Sequence, residues 1–214
     1  KWVAALRMIG FDHSYDTAFA ADLTVVEEAN EFITRKSKGE KLPIFTSCCP
    51  AWVKYAEQSY PMLLGNLSSC RSPQQMFGAI AKKRLPEILD VQKKDLVVVS
   101  IMPCTAKKYE CKRPEFTQDG IADVDIVLTT QEVGRMIKEA GIDFDALEPE
   151  SMDLPMGFAT GAGMIFGNSG GVSEAVLRYA ADKFDIPVPE NIVLQEVRGT
   201  SGIRETTLAD GNLK

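Results

Sequence analysis

Thr46-Ser47-Cys48-Cys49-Pro50-Ala51-Trp52 sets two adjacent cysteines directly after a short apolar run at 42–45. A second string, Met102-Pro103-Cys104-Thr105-Ala106-Lys107-Lys108, closes the apolar run 96–102. Runs of this length read as buried parallel strands, and the ends of such strands are where α/β sheets put ligands. One strand-end cysteine alone reads as a small buried hydrophobe. Two of them, each bordered by proline, point to a shared metal or cluster.

Cys48 and Cys49 are expected to differ in role. Neighbouring Cα atoms stand about 3.8 Å apart, less than the ~4.4 Å a disulfide usually needs. In an extended segment their side chains point to opposite sides. One thiol can therefore ligate while the other stays free, and a free thiol is mostly protonated at neutral pH, able to give and accept a proton.

Outward from these motifs the chain alternates between helical and strand patterns. Apolar Trp2, Val3, Leu6 and Ile9 predict a helix at the start, and Asp22 or Thr24 is the expected cap of a helix running to about Lys38. Its Glu27, Glu28, Glu31 and Arg35 read as a charged face, with Glu31 and Arg35 at pairing distance. A short helix from Trp52 to Tyr60 is followed by one that Ser72-Pro73 starts and that runs to about Arg84. Strands are expected over 42–45, 96–102, 123–129 and 192–197, with helices over 131–140 and 172–184. Such alternation argues for an α/β fold with parallel strands. The acidic, proline-containing stretch 147–155 is the expected boundary between two lobes. The glycine-rich run 161–171 lacks the lysine and hydroxyl pattern of a nucleotide loop, so close backbone packing is its expected use.

The two cysteine strings resemble the first two signature motifs of the iron-only hydrogenase catalytic domain, in the second case as Met102-Pro103-Cys104-x-x-Lys107-x-x-Glu110. The resemblance extends through Ala21-Asp22-Leu23-Thr24, Ser72-Pro73-Gln74-Gln75-Met76-Phe77-Gly78, Gly161-Ala162-Gly163 and Gly170-Gly171-Val172-x-Glu174-Ala175. It implies a two-lobed domain, present here in part, that interconverts protons, electrons and molecular hydrogen. Its cofactor is a four-iron cluster joined to a two-iron unit carrying carbon monoxide, cyanide and a bridging dithiolate.

Residue by residue, the resemblance makes Cys49 and Cys104 ligands of the four-iron cluster, and Cys48 the thiol that exchanges a proton with the dithiolate. Glu28, Glu31, Arg35 and Ser68 match a proton path behind Cys48. Lys107 matches a lysine that bonds a cyanide, which suits a cation facing a desolvated anion. Gln74, Met102, Pro103 and Phe166 match residues around the cofactor, and the 161–171 run is placed near its cavity. Cys70 and Cys111 match no ligand and read as incidental thiols.

The family has a third motif, with two further cysteines, that these 214 residues do not contain. A four-iron cluster takes four thiolates, so the region by itself is expected to be apo and inactive, and to need the rest of the hydrogenase domain. Ferredoxin or a nicotinamide-linked protein is the expected electron partner. Two other readings share these motifs. One is a narf-like iron-sulfur assembly protein, which typically lacks the relay cysteine at the position of Cys48; the other is a hydrogen-sensing domain.

Composition narrows the choice. A net charge of -6 without clustered lysine and arginine argues against a nucleic-acid surface. No run approaches the roughly 20 apolar residues that cross a membrane, and Lys1-Trp2-Val3 does not read as a signal peptide. Five cysteines without framework spacing fit a reducing compartment, giving a cytoplasmic expectation. His13, the sole histidine, reads as a loop residue with no zinc partners.

Overall fold

A computed structural model describes residues 1–188, 195–197 and 202–207. Helix α1 (Trp2–Ile9) ends on Gly10, whose φ of 114° lets the chain turn out of the helix. Helix α2 (Thr17–Lys38) is the spine of the molecule, packing on α4, α7 and α8. It starts about two turns earlier than Asp22 or Thr24 suggests. Asp16 is the cap, its carboxylate accepting from the Ala18 amide at 2.9 Å. Asp22 is committed elsewhere: it accepts the Thr160 amide, the Thr160 hydroxyl and the Gly163 amide at 2.5–2.6 Å. Thr24 back-bonds to the Ala20 carbonyl at 3.0 Å.

The expected strand 42–45 is reduced to one parallel bridge, Phe45 to Leu67, and Leu42 is exposed. The chain then enters α3 (Pro50–Ser59), with Pro50 at the first helical position, and passes through a 3-10 turn (Pro61–Asn66). Helix α4 (Pro73–Leu89) is capped by Ser72 as its sequence predicts, and it continues through Pro86 past the expected end at Arg84.

Strand β1 (Val99–Met102) pairs in parallel with β4 (Ile126–Thr129), Val99 opposite Ile126 and Met102 opposite Thr129. Both strands are shorter than their apolar runs. The backbone before β1 is occupied by side chains: Lys82 donates to the Leu96 carbonyl, and the Asp125 carboxylate accepts the Val98 amide at 2.7 Å. Between them lie α5 (Ala106–Glu110) and a small hairpin, β2 (Thr117–Gln118) and β3 (Ile121–Ala122). Asp119 and Gly120 turn that hairpin with positive φ at both positions.

Helix α6 (Thr130–Glu139) opens on a capping box between Thr129 and Glu132. A short helix α7 (Gly161–Phe166), which the glycine-rich pattern did not announce, precedes α8 (Gly171–Lys183). Close packing there holds: a side chain at Gly163 would strike the Ala18 carbonyl, and one at Gly171 the Ile165 carbonyl. Strands β5 (Gln195–Glu196) and β6 (Arg204–Glu205) pair antiparallel. The rest of the expected strand 192–197, except Val197, lies outside the described residues.

Among the described residues, apolar contacts gather in several clusters. Phe32 meets Ala180 and Ala181 where α2 crosses α8. Ala5, Val133 and Ile137 join α1 to α6, and Met102, Cys111, Val124 and Val127 pack behind the β1–β4 pair.

Candidate functional site

The extended backbone at Cys49 (φ -98°, ψ 108°) caps α3 and splits the adjacent thiols. Cys49 is exposed while Cys48 is half-buried. Cys104, at the β1–α5 turn, is also exposed. Burial pushes the Cys48 thiol up to about 11, the Glu28 charge adding to it and Lys107 opposing. Cys48 is therefore a protonated thiol at neutral pH. The Lys107 ammonium donates to the Cys48 carbonyl at 2.8 Å, which ties the second motif to the first.

Behind Cys48 lies the α2 face read as a proton path. Glu28 is buried at 2% exposure, and neither of its carboxyl oxygens has a hydrogen-bond partner. Burial lifts it to about 7, with the Glu31 charge adding to the rise and Ser68 opposing it. Glu31, one turn on, is the reverse. Burial alone would raise it, but the Ser69 hydroxyl and amide and the Arg35 guanidinium together bring it below the usual carboxylate range. Its Oε2 accepts the Ser69 amide and hydroxyl, each at 2.9 Å, the Ser68 hydroxyl at 3.3 Å and the Cys70 thiol at 3.6 Å. Arg35 pairs with Oε1 and is anchored by the Leu67 carbonyl at 2.8 Å. The structure thus brings Glu28, Glu31, Arg35 and Ser68 together, and adds Ser69 and Cys70, which sequence reading left out. The Ser68-Ser69-Cys70 string carried no helical or strand period that would have marked them.

Among the residues expected around a cofactor, two are linked directly. Lys107 and Gln74 meet at Glu110, whose Oε2 lies 3.1 Å from each of their nitrogens. Met102 is buried in the core and Pro103 is exposed beside Cys104. Phe166 ends α7, the helix that Asp22 holds onto α2. A cavity of about 810 Å³ lies among Trp2, Leu6, Phe77, Leu85 and Ile101. Of the candidate residues only Gln74 borders it, and no cysteine lines it. A smaller one of about 210 Å³ is lined by Ser47, Ser68, Cys70, Glu110 and Arg113.

The donor chemistry suits iron. Cys49 and Cys104 are accessible thiols of the kind that hold iron-sulfur clusters. They fit as two members of a four-thiolate set, and among the described residues no three His, Cys, Asp or Glu side chains gather as a complete metal site.

Residues 1–214 match the family model described as "Iron only hydrogenase large subunit, C-terminal domain". The chain belongs to that family. Among relatives, it is 49% identical to the NADP-reducing hydrogenase subunit HndD of Solidesulfovibrio fructosivorans over 99% of this chain and 37% of that protein. It is 47% identical to the periplasmic [Fe] hydrogenase large subunit of Nitratidesulfovibrio vulgaris over 99% of this chain and 51% of that protein. The apo [FeFe]-hydrogenase HydA1 of Chlamydomonas reinhardtii superposes with a TM-score of 0.83 at 45% identity, covering 97% of this chain and 53% of that one. The fold is therefore that of the [FeFe]-hydrogenases, in part: the chain spans about half or less of the proteins it matches. At lower identity, 32%, stands the cytosolic Fe-S cluster assembly factor narfl of Xenopus tropicalis.

Proposed function

We propose that this chain is the part of an iron-only hydrogenase that carries the proton relay and two cluster ligands, in an enzyme that reversibly reduces protons to molecular hydrogen. The observation that carries the reading is the pairing of a protonated, half-buried Cys48 with a buried Glu28 that titrates near neutrality. A group that must both take up and release protons works best with a pKa near the operating pH. Glu28 has that property, and the bonded Glu31 does not.

In this reading protons enter at Arg35 and Glu31, pass the Ser68 hydroxyl to Glu28, and reach the Cys48 thiol. Cys49 and Cys104 hold the four-iron cluster, and Lys107 presents its ammonium to an anionic ligand. Gln74, Met102, Pro103 and Phe166 border the cofactor. When bound, the iron cofactor supplies the metal chemistry of hydrogen cleavage and the storage of electrons, which side chains cannot provide. The 214 residues alone supply two of four thiolates, so the isolated region is apo and inactive, and the rest of the hydrogenase domain completes it. The stretch 147–155 joins the two lobes. It is tied to α1 by Arg7, which pairs with Glu150 and with Asp153.

The electron partner is ferredoxin or a nicotinamide-linked protein, the latter supported by the name of the NADP-reducing relative. A cytoplasmic setting is supported by five free thiols, although one relative is named periplasmic. No helix among the described residues is long and apolar enough to cross a membrane. The assembly-factor reading is disfavoured by Cys48 standing with Glu28 and Glu31 behind it; hydrogen sensing would use the same residues.

The test is Cys48→Ala in the whole hydrogenase polypeptide. Turnover should collapse with iron content unchanged; wild-type turnover would remove the relay assignment.

A further inference from the structure

Glu110 is a buried carboxylate, 4% exposed, to which the hydrogenase reading gives no task. Its Oε2 accepts the Ser72 hydroxyl at 2.9 Å, the Gln74 amide nitrogen at 3.1 Å and the Lys107 ammonium at 3.1 Å. Its Oε1 lies 3.3 Å from the same ammonium. Lys107 also reaches the Cys48 carbonyl at 2.8 Å, so Glu110 and Cys48 hold the cation from two directions. Gln74 is fixed at both ends: Nε2 on Glu110 and on the Lys107 carbonyl at 3.3 Å, Oε1 accepting from Ser100 at 2.9 Å.

Packing alone does not call for this arrangement. Burying an ion pair costs several kcal/mol of desolvation per ion, and an apolar pair of similar volume holds helices together as well or better. What a carboxylate does that a leucine cannot is fix a cation. Lysine is a point charge on a flexible stem carrying about 2 kcal/mol of rotamer entropy. Spending that entropy in the folded protein, before any ligand arrives, pre-organises the site.

We propose that Glu110 is a positioning residue: it holds the Lys107 ammonium beside the Cys48 carbonyl and turns the Gln74 amide, so that the cation facing the anionic cofactor ligand is placed in advance. This rests on the reading of Lys107 given above. Ser72 joins the two ends of the arrangement, because the hydroxyl that caps α4 at the Gln75 amide is the one that donates to Glu110. The start of α4 and the end of α5 are thereby locked together at the point where both candidate pocket residues emerge.

The test uses the whole hydrogenase polypeptide in two forms. In the protein without cofactor, nitrogen-detected NMR reads how fast the Lys107 ammonium protons exchange with water. Glu110→Gln should speed that exchange at least about tenfold, the equivalent of losing one charge-assisted hydrogen bond. In the cofactor-loaded enzyme, infrared spectroscopy reads the cyanide bands, which Glu110→Gln should shift and broaden with iron content unchanged. Wild-type exchange and wild-type bands in Glu110→Gln, alongside shifted bands in Lys107→Ala, overturn the role of Glu110 and leave the Lys107 reading standing. Unmoved bands in Lys107→Ala, with faster exchange in Glu110→Gln, remove the Lys107 reading while Glu110 still positions the ammonium. If Glu110→Gln does not fold, Glu110→Asp takes its place: the shorter carboxylate cannot reach Ser72 and Lys107 together, so wild-type exchange in that variant overturns the proposal as well.

Discussion

Glu28 and Glu31 stand one turn apart on α2, and they are opposites. Glu31 is gripped by Arg35, Ser68, Ser69 and Cys70, and it is held ionised. Glu28 has no hydrogen-bond partner and is lifted to about 7. The same residue type on the same helix face becomes a fixed charge or a group that titrates near pH 7 according to what neighbouring loops bring to it. The string Leu67-Ser68-Ser69-Cys70 serves Glu31, and of it only Ser68 tempers the effect of burial on Glu28.

The contrast can be broken most severely at its inner end. Cys48→Ala removes the acceptor beyond Glu28, and turnover of the whole enzyme should fall by about 10²–10⁴-fold, the range for loss of a positioned acid-base group. Hydrogen evolution assays with iron analysis check this. Its neighbour behaves differently: Cys49→Ala should lose four-iron cluster content, and unchanged iron by metal analysis would refute the ligand assignment.

Glu28→Gln separates the two glutamates through stability. The folded protein keeps a proton that the unfolded chain releases between pH 4.5 and about 7. Stability therefore falls as pH rises through that window, by about 3 kcal/mol in total. Glu28→Gln should erase this fall, gaining stability at pH 8 and little at pH 4; denaturant titrations at both values measure it. A parallel pH dependence in variant and parent would mean that Glu28 is not the titrating group.

Ser69→Ala attacks the other member. Removing the hydroxyl leaves the amide bond and Arg35, so Glu31 should rise toward its ordinary range, and the acid limb of the activity profile should move to higher pH. A profile identical to the parent's would show that Ser69 does not set the charge of Glu31. The smallest effect is expected far from both carboxylates. Thr129→Ala breaks the α6 capping box and should cost about 1 kcal/mol, read by denaturation, with iron content and turnover of the whole enzyme unchanged.

Much of this was legible in the chain. The Cys104 string after β1, the Ser72-Pro73 start of α4 and the α2 glutamates are local signals, and each appears on the element its pattern pointed to. The misses share a cause. Asp22 has the chemistry of a cap, but its carboxylate is taken by Thr160 and Gly163, 138 and 141 residues away. The apolar run 42–45 has the composition of a strand, but only Phe45 finds a partner.

Legible in the chain alone were the family, the unequal exposure of Cys48 and Cys49, and the carboxylates on α2, because motif spacing and backbone alternation are properties of neighbours in the chain. The folded chain decided which carboxylate titrates near pH 7, that Ser69 and Cys70 belong to the Glu31 network, and that Glu110 binds Lys107 and Gln74 to one another. Charge state depends on desolvation and on donors delivered from distant segments, and only the folded chain brings α2, α4, α5 and the loop after Leu67 within hydrogen-bonding reach.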